Sequence, residues 1–335
     1  MKRLVTYSVC ALCCCVLLLY SPAAVSQAAA GFSVWRDSLL PTLLPFFVCA
    51  HVMQNIGVSG KLERASLIFL SLISGAPAGA RLLSGYGQPD ARSAAILNNV
   101  SPIFIYASFC SGMVGCPRLA LYILPAQFFA AAIMLLFFPI HIRPRPHAPC
   151  PSPLRLLSNA LQSSVYAMLN ICAAIVFFSA LMGGLFAMLG AGGAASLPFA
   201  LLHGMLEMAG GSAALSGLGI AMRPLGAAAA FVFSFGGLCI YAQSLAFAPL
   251  PFLRYFSAKL MQGLISAAVA YILLTLFPLP LPVYRPVTAD TLLRNTLSIA
   301  AALGAMLVAL SAVMMLGAAG RYKKAKIKSA PDGAR

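Results

Sequence analysis

The chain has 335 residues, 61% of them hydrophobic and 8% charged, with 22 Lys and Arg against 6 Asp and Glu. So few charged side chains cannot coat a soluble core of this length, which excludes an ordinary soluble domain. The basic residues lie between apolar runs rather than on one polar face, so the net charge of +16 reads as membrane topology and not as nucleic-acid binding.

At the N-terminus, Lys2 and Arg3 precede an apolar run from Leu4 to Tyr20 and then the small residues Ser26-Gln27-Ala28-Ala29-Ala30. A cleaved signal peptide and a retained signal-anchor helix both fit this pattern, and either brings the chain to the outer side near Gly31. Apolar runs then predict about eight spanning segments, roughly 4–21, 38–57, 93–115, 119–141, 159–189, 225–248, 257–279 and 296–318. Two further stretches, 65–88 and 197–221, are interrupted by Gly, Pro and Ser and predict re-entrant helical hairpins. Each arm of about 10 residues makes about 15 Å of helix, which is half of a hydrocarbon core about 30 Å thick.

These elements divide the chain into an N-terminal helix and outer loop (1–37), a first repeat (38–142), a Pro/Arg linker (143–158), a second repeat (159–280), an outer loop with a last helix (281–320) and a basic cytoplasmic tail (321–335). The linker, Pro144-Arg145-Pro146-His147-Ala148-Pro149, separates two halves with the same order: one span, one hairpin, two spans. One half begins outside and the other inside, so the expected fold is an all-α polytopic membrane protein built as two inverted repeats. Both termini then face the cytoplasm unless residues 1–30 are cleaved as a signal peptide, with Lys61, Arg64, Arg92, Arg143, Arg145, Arg155, Arg254 and Lys259 on that side. The ten cysteines, mostly within apolar runs, read as small hydrophobes, including the Cys10/Cys13 pair.

The hairpins turn at Ser74-Gly75-Ala76-Pro77-Ala78-Gly79-Ala80-Arg81 and at Glu207-Met208-Ala209-Gly210-Gly211-Ser212. Each following span is broken as well, at Asn98-Asn99-Val100-Ser101-Pro102 and at Ser234-Phe235-Gly236-Gly237. All four breaks count to the midplane, where non-helical backbone is tolerated only inside protein or beside a wet cavity. One central solute site is therefore expected, formed by Ser74, Gly75, Gly79, Arg81, Asn98, Asn99, Ser101, Glu207, Gly210, Gly211, Ser212 and Ser234. Close helix packing is the competing explanation, since Gly75 and Gly79 form G-x-x-x-G.

Glu207 is the one acid expected at membrane depth, where an ionisable group marks a functional position. It has two readings, a carrier of coupling Na+ or H+ and a cap on the broken helix. His203 lies one turn earlier on the same face. Arg81 either attracts an anionic solute beside a half-helix N-terminus or snorkels to the cytoplasmic surface. His51, Gln54 and Asn55 read as interhelical hydrogen bonds. The chain carries no H-E-x-x-H, G-x-S-x-G or Walker motif, so no catalytic residue, metal site or bound cofactor is expected.

The run Leu70-Ser71-Leu72-Ile73-Ser74-Gly75-Ala76-Pro77-Ala78-Gly79-Ala80-Arg81, with Leu97-Asn98-Asn99-Val100-Ser101-Pro102-Ile103-Phe104-Ile105, resembles the YlbJ-type sporulation integral membrane proteins. Those carry a nucleoside-recognition "Gate" domain, and Leu43-Leu44-Pro45-Phe46-Phe47 fits the same pattern. Members typically show a glycine-aromatic-proline turn with a nearby lysine, where this chain has Ala76 and Arg81. The likeness covers roughly 38–280 and is looser around Leu206-Glu207 and Gly210-Gly211. It implies a bacterial cytoplasmic membrane, specifically the mother-cell or outer forespore membrane, and transport of dipicolinic acid during sporulation. It also implies kinship with nucleoside carriers, which leaves a nucleoside-like substrate open. A membrane scaffold for a sporulation complex is a third reading, and a homo-oligomer is compatible with all three.

Overall fold

The computed structural model describes residues 2–56, 61–87, 89–140, 152–190 and 196–279, and every regular element among them is helical. The last expected span, 296–318, the basic tail and most of the Pro/Arg linker lie outside the described residues. Four helical stretches are long and apolar enough to cross a bilayer: 117–137, 153–188, 222–245 and 252–276. A bent pair at the N-terminus makes a fifth if it is counted as one span.

That pair departs from the sequence expectation. Helix α1 (Lys2–Leu19) and helix α2 (Ser21–Val34) meet at Tyr20 with a bend of 97°. Pro22 sits in the first turn of α2, where its missing N–H costs nothing. No outer loop forms at 31–37: α2 passes through a π-helical turn (Trp35–Leu39) into α3 (Leu40–Ile56). Small residues of this stretch form a packing face. A side chain at Gly31 would run into Ser179, and a Cβ on Gly183 would come within 2.5 Å of the Ala23 carbonyl oxygen. Small residues let these two helices approach closely where lipid supplies no hydrophobic drive. Trp35 locks the turn by donating its indole N–H to the Met168 carbonyl at 3.1 Å.

The first hairpin consists of α4 (Lys61–Ser74) and the short α5 (Ala78–Ser84), joined at Gly75 with φ +81°. The span expected at 93–115 is two pieces, α6 (Ala91–Leu97) and a π-helix (Phe104–Met113). Pro102 lacks an N–H and disfavours helical geometry in the residue before it, so the backbone opens there. Helix α7 (Ala120–Phe137) follows a 3-10 turn, and α8 (Pro153–Met188) is the longest element described. The second hairpin is α9 (Leu197–Leu206) and α10 (Met208–Ser216), hinged on Glu207 alone. A Cβ on Gly211 would overlap the Gly204 backbone, so the two arms touch at this point.

Helices α11 (Met222–Phe235) and α12 (Gly237–Leu245) form the second broken span, and α13 (Phe252–Leu276) closes the described fold against α7 and α11. Phe233 of α11 sits edge-on to Phe104 and Phe109 of the π-helix, with ring centroids 6.0 and 5.0 Å apart. Only 33% of the apolar window of α13 is buried in the fold, and its outer face shows Leu253, Leu260, Leu264, Ile272 and Leu276. A face of that composition is stable against lipid tails and not against water.

Candidate functional site

The first break is held open by side chains that satisfy freed backbone. Asn98 ends α6 and is fully buried; its Oδ1 accepts the Ala80 N–H at 2.9 Å. Its Nδ2 donates to Ser244 Oγ at 2.7 Å and to the Tyr255 hydroxyl at 3.1 Å. Asn99 donates to the Ile96 carbonyl at 2.7 Å and accepts from Gln262 at 2.9 Å. Gln127 donates to the Val100 carbonyl at 2.9 Å, and Ser101 accepts the Phe104 N–H at 3.2 Å. Left without partners, these groups would cost several kcal/mol in hydrocarbon.

Hairpin one packs its turn directly on this break. The Ala76 N–H donates to the Asn99 carbonyl at 2.6 Å. A Cβ on Gly75 would stand 2.7 Å from Ser101 Cβ, and one on Gly79 2.6 Å from the Leu97 carbonyl carbon. Both glycines are therefore contact points, as the packing explanation requires. Hairpin two meets the second break in the same manner. Gly237, with φ +83°, lies where a Cβ would be 2.9 Å from the Gly204 carbonyl oxygen.

Glu207 is 2% exposed, and both carboxylate oxygens are used. Oε1 accepts the Ala209 N–H at 2.8 Å and Oε2 the Gly210 N–H at 2.5 Å, which is the arrangement of an N-terminal cap on α10. The His203 ring lies against Gly210, where a Cβ would be 2.5 Å from Nε2, and packs edge-on to Phe186. Ser212 donates to the Met208 carbonyl of its own helix at 2.6 Å. Ser74 and Ser234 keep buried hydroxyls without a partner.

Lys259 corrects the sequence reading most. Placed above among the cytoplasmic charges, it is 0% exposed inside the bundle. Its Nζ donates to the Asn98 carbonyl of the first break and, at 2.8 Å, to the Ser234 carbonyl of the second. The reason is the start of α13 at Phe252, after Pro251, five residues before the predicted 257. Lys259 therefore sits two turns, about 10 Å, inside the helix. Tyr255, Lys259, Gln262 and Ser266, all buried, fall on one face of α13 at helical spacing. That polar stripe in an apolar helix was the signal by which the sequence could have revealed it. Glu207 is thus not the single ionisable group at depth.

Of the expected site residues, Arg81 is the one that borders the cleft beside α8. The cleft has a volume of about 710 Å³ and is bordered by His51, Arg81, Asn159, Gln162, Ser163 and Asn170, with Tyr166 and Phe247 beside them. The guanidinium donates to Ser163 Oγ at 2.5 Å, lies 3.3 Å from His51 Nδ1, and sits 5.5 Å from the Phe47 ring centroid. Asn159, Gln162, Ser163 and Asn170 share one face of α8, a row of polar groups that sequence reading missed because α8 is otherwise apolar. Asn55 bonds the His51 carbonyl of its own helix at 2.7 Å and does not bridge to another. The lining of this cleft does not include Asn98, Asn99, Glu207 or Ser234.

Compared with protein-family models, with curated proteins and with solved structures, the chain matches none. Length and composition of the described helices are those of a multi-pass integral membrane protein, all-helical among the described residues.

Proposed function

We propose that the chain is a membrane transporter of a small polar or anionic solute and that the cleft at Arg81 is its docking site. The observation that carries this reading is the half-buried guanidinium facing a cavity of about 710 Å³ bordered by amides and hydroxyls. A cation in a partly desolvated cleft attracts carboxylate, and neighbouring amides supply orienting hydrogen bonds. A hairpin packed on a broken span occurs twice, which supports two inverted halves with re-entrant hairpins working as gates. The resemblance noted at 70–81 and 97–105 makes dipicolinate, a planar dianion, the first substrate to test. In this reading Glu207 holds hairpin two in shape and couples its movement to an ion.

The amide face of α8 and Tyr166 favour a second reading, a nucleoside carrier, since amides read base edges and a tyrosine ring stacks. Flux into proteoliposomes separates the two. Dipicolinate, a non-aromatic dicarboxylate and uridine are offered in turn to the unsubstituted chain and to Arg81→Ala. Dipicolinate uptake that falls at least about tenfold in the variant, roughly the value of one charge-assisted pair, is expected. Uptake of uridine in place of dipicolinate assigns the nucleoside reading. No uptake of any of the three by properly inserted protein leaves a membrane scaffold and ends the transport proposal.

A further inference from the structure

The contact between Lys259 and the two breaks carries more than a structural bond. Asn98 caps the C-terminus of α6, and Ser234 lies in the last turn of α11, just before Gly236 at φ +81°. Their carbonyls are therefore orphan acceptors, at helix ends that carry partial negative charge. In broken-helix membrane proteins, unwound carbonyls and half-helix C-termini are the groups that ligate a small monovalent cation. Here the same kind of oxygens, one from each half of the chain, converge on a lysine nitrogen. Ser234 also has a buried Oγ with no partner, and Gln262, which donates to Asn99, keeps an unpartnered Oε1. Among the described residues no carboxylate pairs with Lys259. Carbonyl dipoles face the nitrogen, as they would face a bound ion.

We infer that the crossing of the two broken spans is a monovalent-cation site in which the chain's own Lys259 ammonium takes the place of the ion. The resident charge holds the C-terminal ends of α6 and α11 together without sodium. Vacating it leaves a carbonyl-lined site open to Na+. The inference concerns the crossing and not the Arg81 cleft, so it stands or falls separately from transport.

Thermal unfolding of purified full-length protein tests it, in NaCl and in choline chloride at equal ionic strength. The difference between the two salts in the unsubstituted chain, which includes any Na+ bound at Glu207, is the baseline. Lys259→Ala in choline is expected to melt about 5 °C or more lower, as loss of a buried charge partner implies. Sodium should then restore much of that loss along a saturable curve, because a ligand bound only to the folded state raises its stability. Lys259→Met, which refills the space with an apolar chain, should melt low and shift with sodium no more than the unsubstituted chain. Equal melting of Lys259→Ala in the two salts overturns the inference, and so does a sodium shift in Lys259→Ala no larger than that of the unsubstituted chain. Should Lys259→Ala resist purification in choline, recovery as a monodisperse species in NaCl alone supports it. Recovery in neither salt while Lys259→Met survives in both overturns it, since volume and not charge would then be what the crossing needs.

Discussion

Asn98 Nδ2 and Ser244 Oγ, 146 residues apart in the chain, share a buried hydrogen bond of 2.7 Å. Asn98 belongs to the first broken span and Ser244 to the second, and Tyr255 of α13 joins the same amide at 3.1 Å. One side chain thus ties three elements together while its Oδ1 holds hairpin one through Ala80.

This makes Asn98 a stability determinant. Asn98→Ala strands the Ala80 N–H and removes two donors from a fully buried cluster. A loss of about 3 kcal/mol is expected. Thermal unfolding in detergent should register it as a fall of roughly 5–10 °C. A melting temperature unchanged from the parent would remove Asn98 from this role.

The glycines of hairpin two divide sharply by what a methyl would meet. Gly211→Ala drives a Cβ into the Gly204 backbone, and the arms must separate. That overpacking should cost about 1–3 kcal/mol. Gly217, at φ −79° with nothing nearer than 3.7 Å to its Cβ position, accepts alanine freely. Gly217→Ala should be neutral or stabilise by about 0.4–1 kcal/mol. Denaturation curves of the two variants, run side by side, check the opposite signs.

Glu207→Gln keeps the shape of the α10 cap but turns an amide nitrogen toward one of its two N–H donors. About 1 kcal/mol of stability should go with it. In proteoliposomes the same variant examines the coupling role proposed for this carboxylate. A dependence of flux on pH and Na+ that shifts relative to the parent is the expected result. Identical profiles leave Glu207 with the cap alone.

Much of the architecture was legible in the chain because its causes are local. Hydrophobic runs of span length state the solvent at 117–137, 153–188 and 252–276. Glycine and proline mark where helices must stop, and the breaks at Gly75–Pro77, Asn98–Pro102 and Gly236–Gly237 fall where these residues stand. At the N-terminus, the outer loop expected up to residue 37 is helix, because small residues there pack on Ser179 and Gly183 of α8, partners that no local pattern names.

What the sequence by itself determined is the membrane-helical composition and the places where helices break, since backbone torsion and transfer free energy belong to each residue and its neighbours. What tertiary structure alone decided is which breaks meet and what lies between them. It put Lys259 between the Asn98 and Ser234 carbonyls and Arg81 in the cleft beside α8. The physical reason is that a buried polar group goes where unsatisfied partners are. Those partners here come from elements more than a hundred residues away in the chain for Asn98 and Lys259, a separation of 161, and no local pattern encodes them.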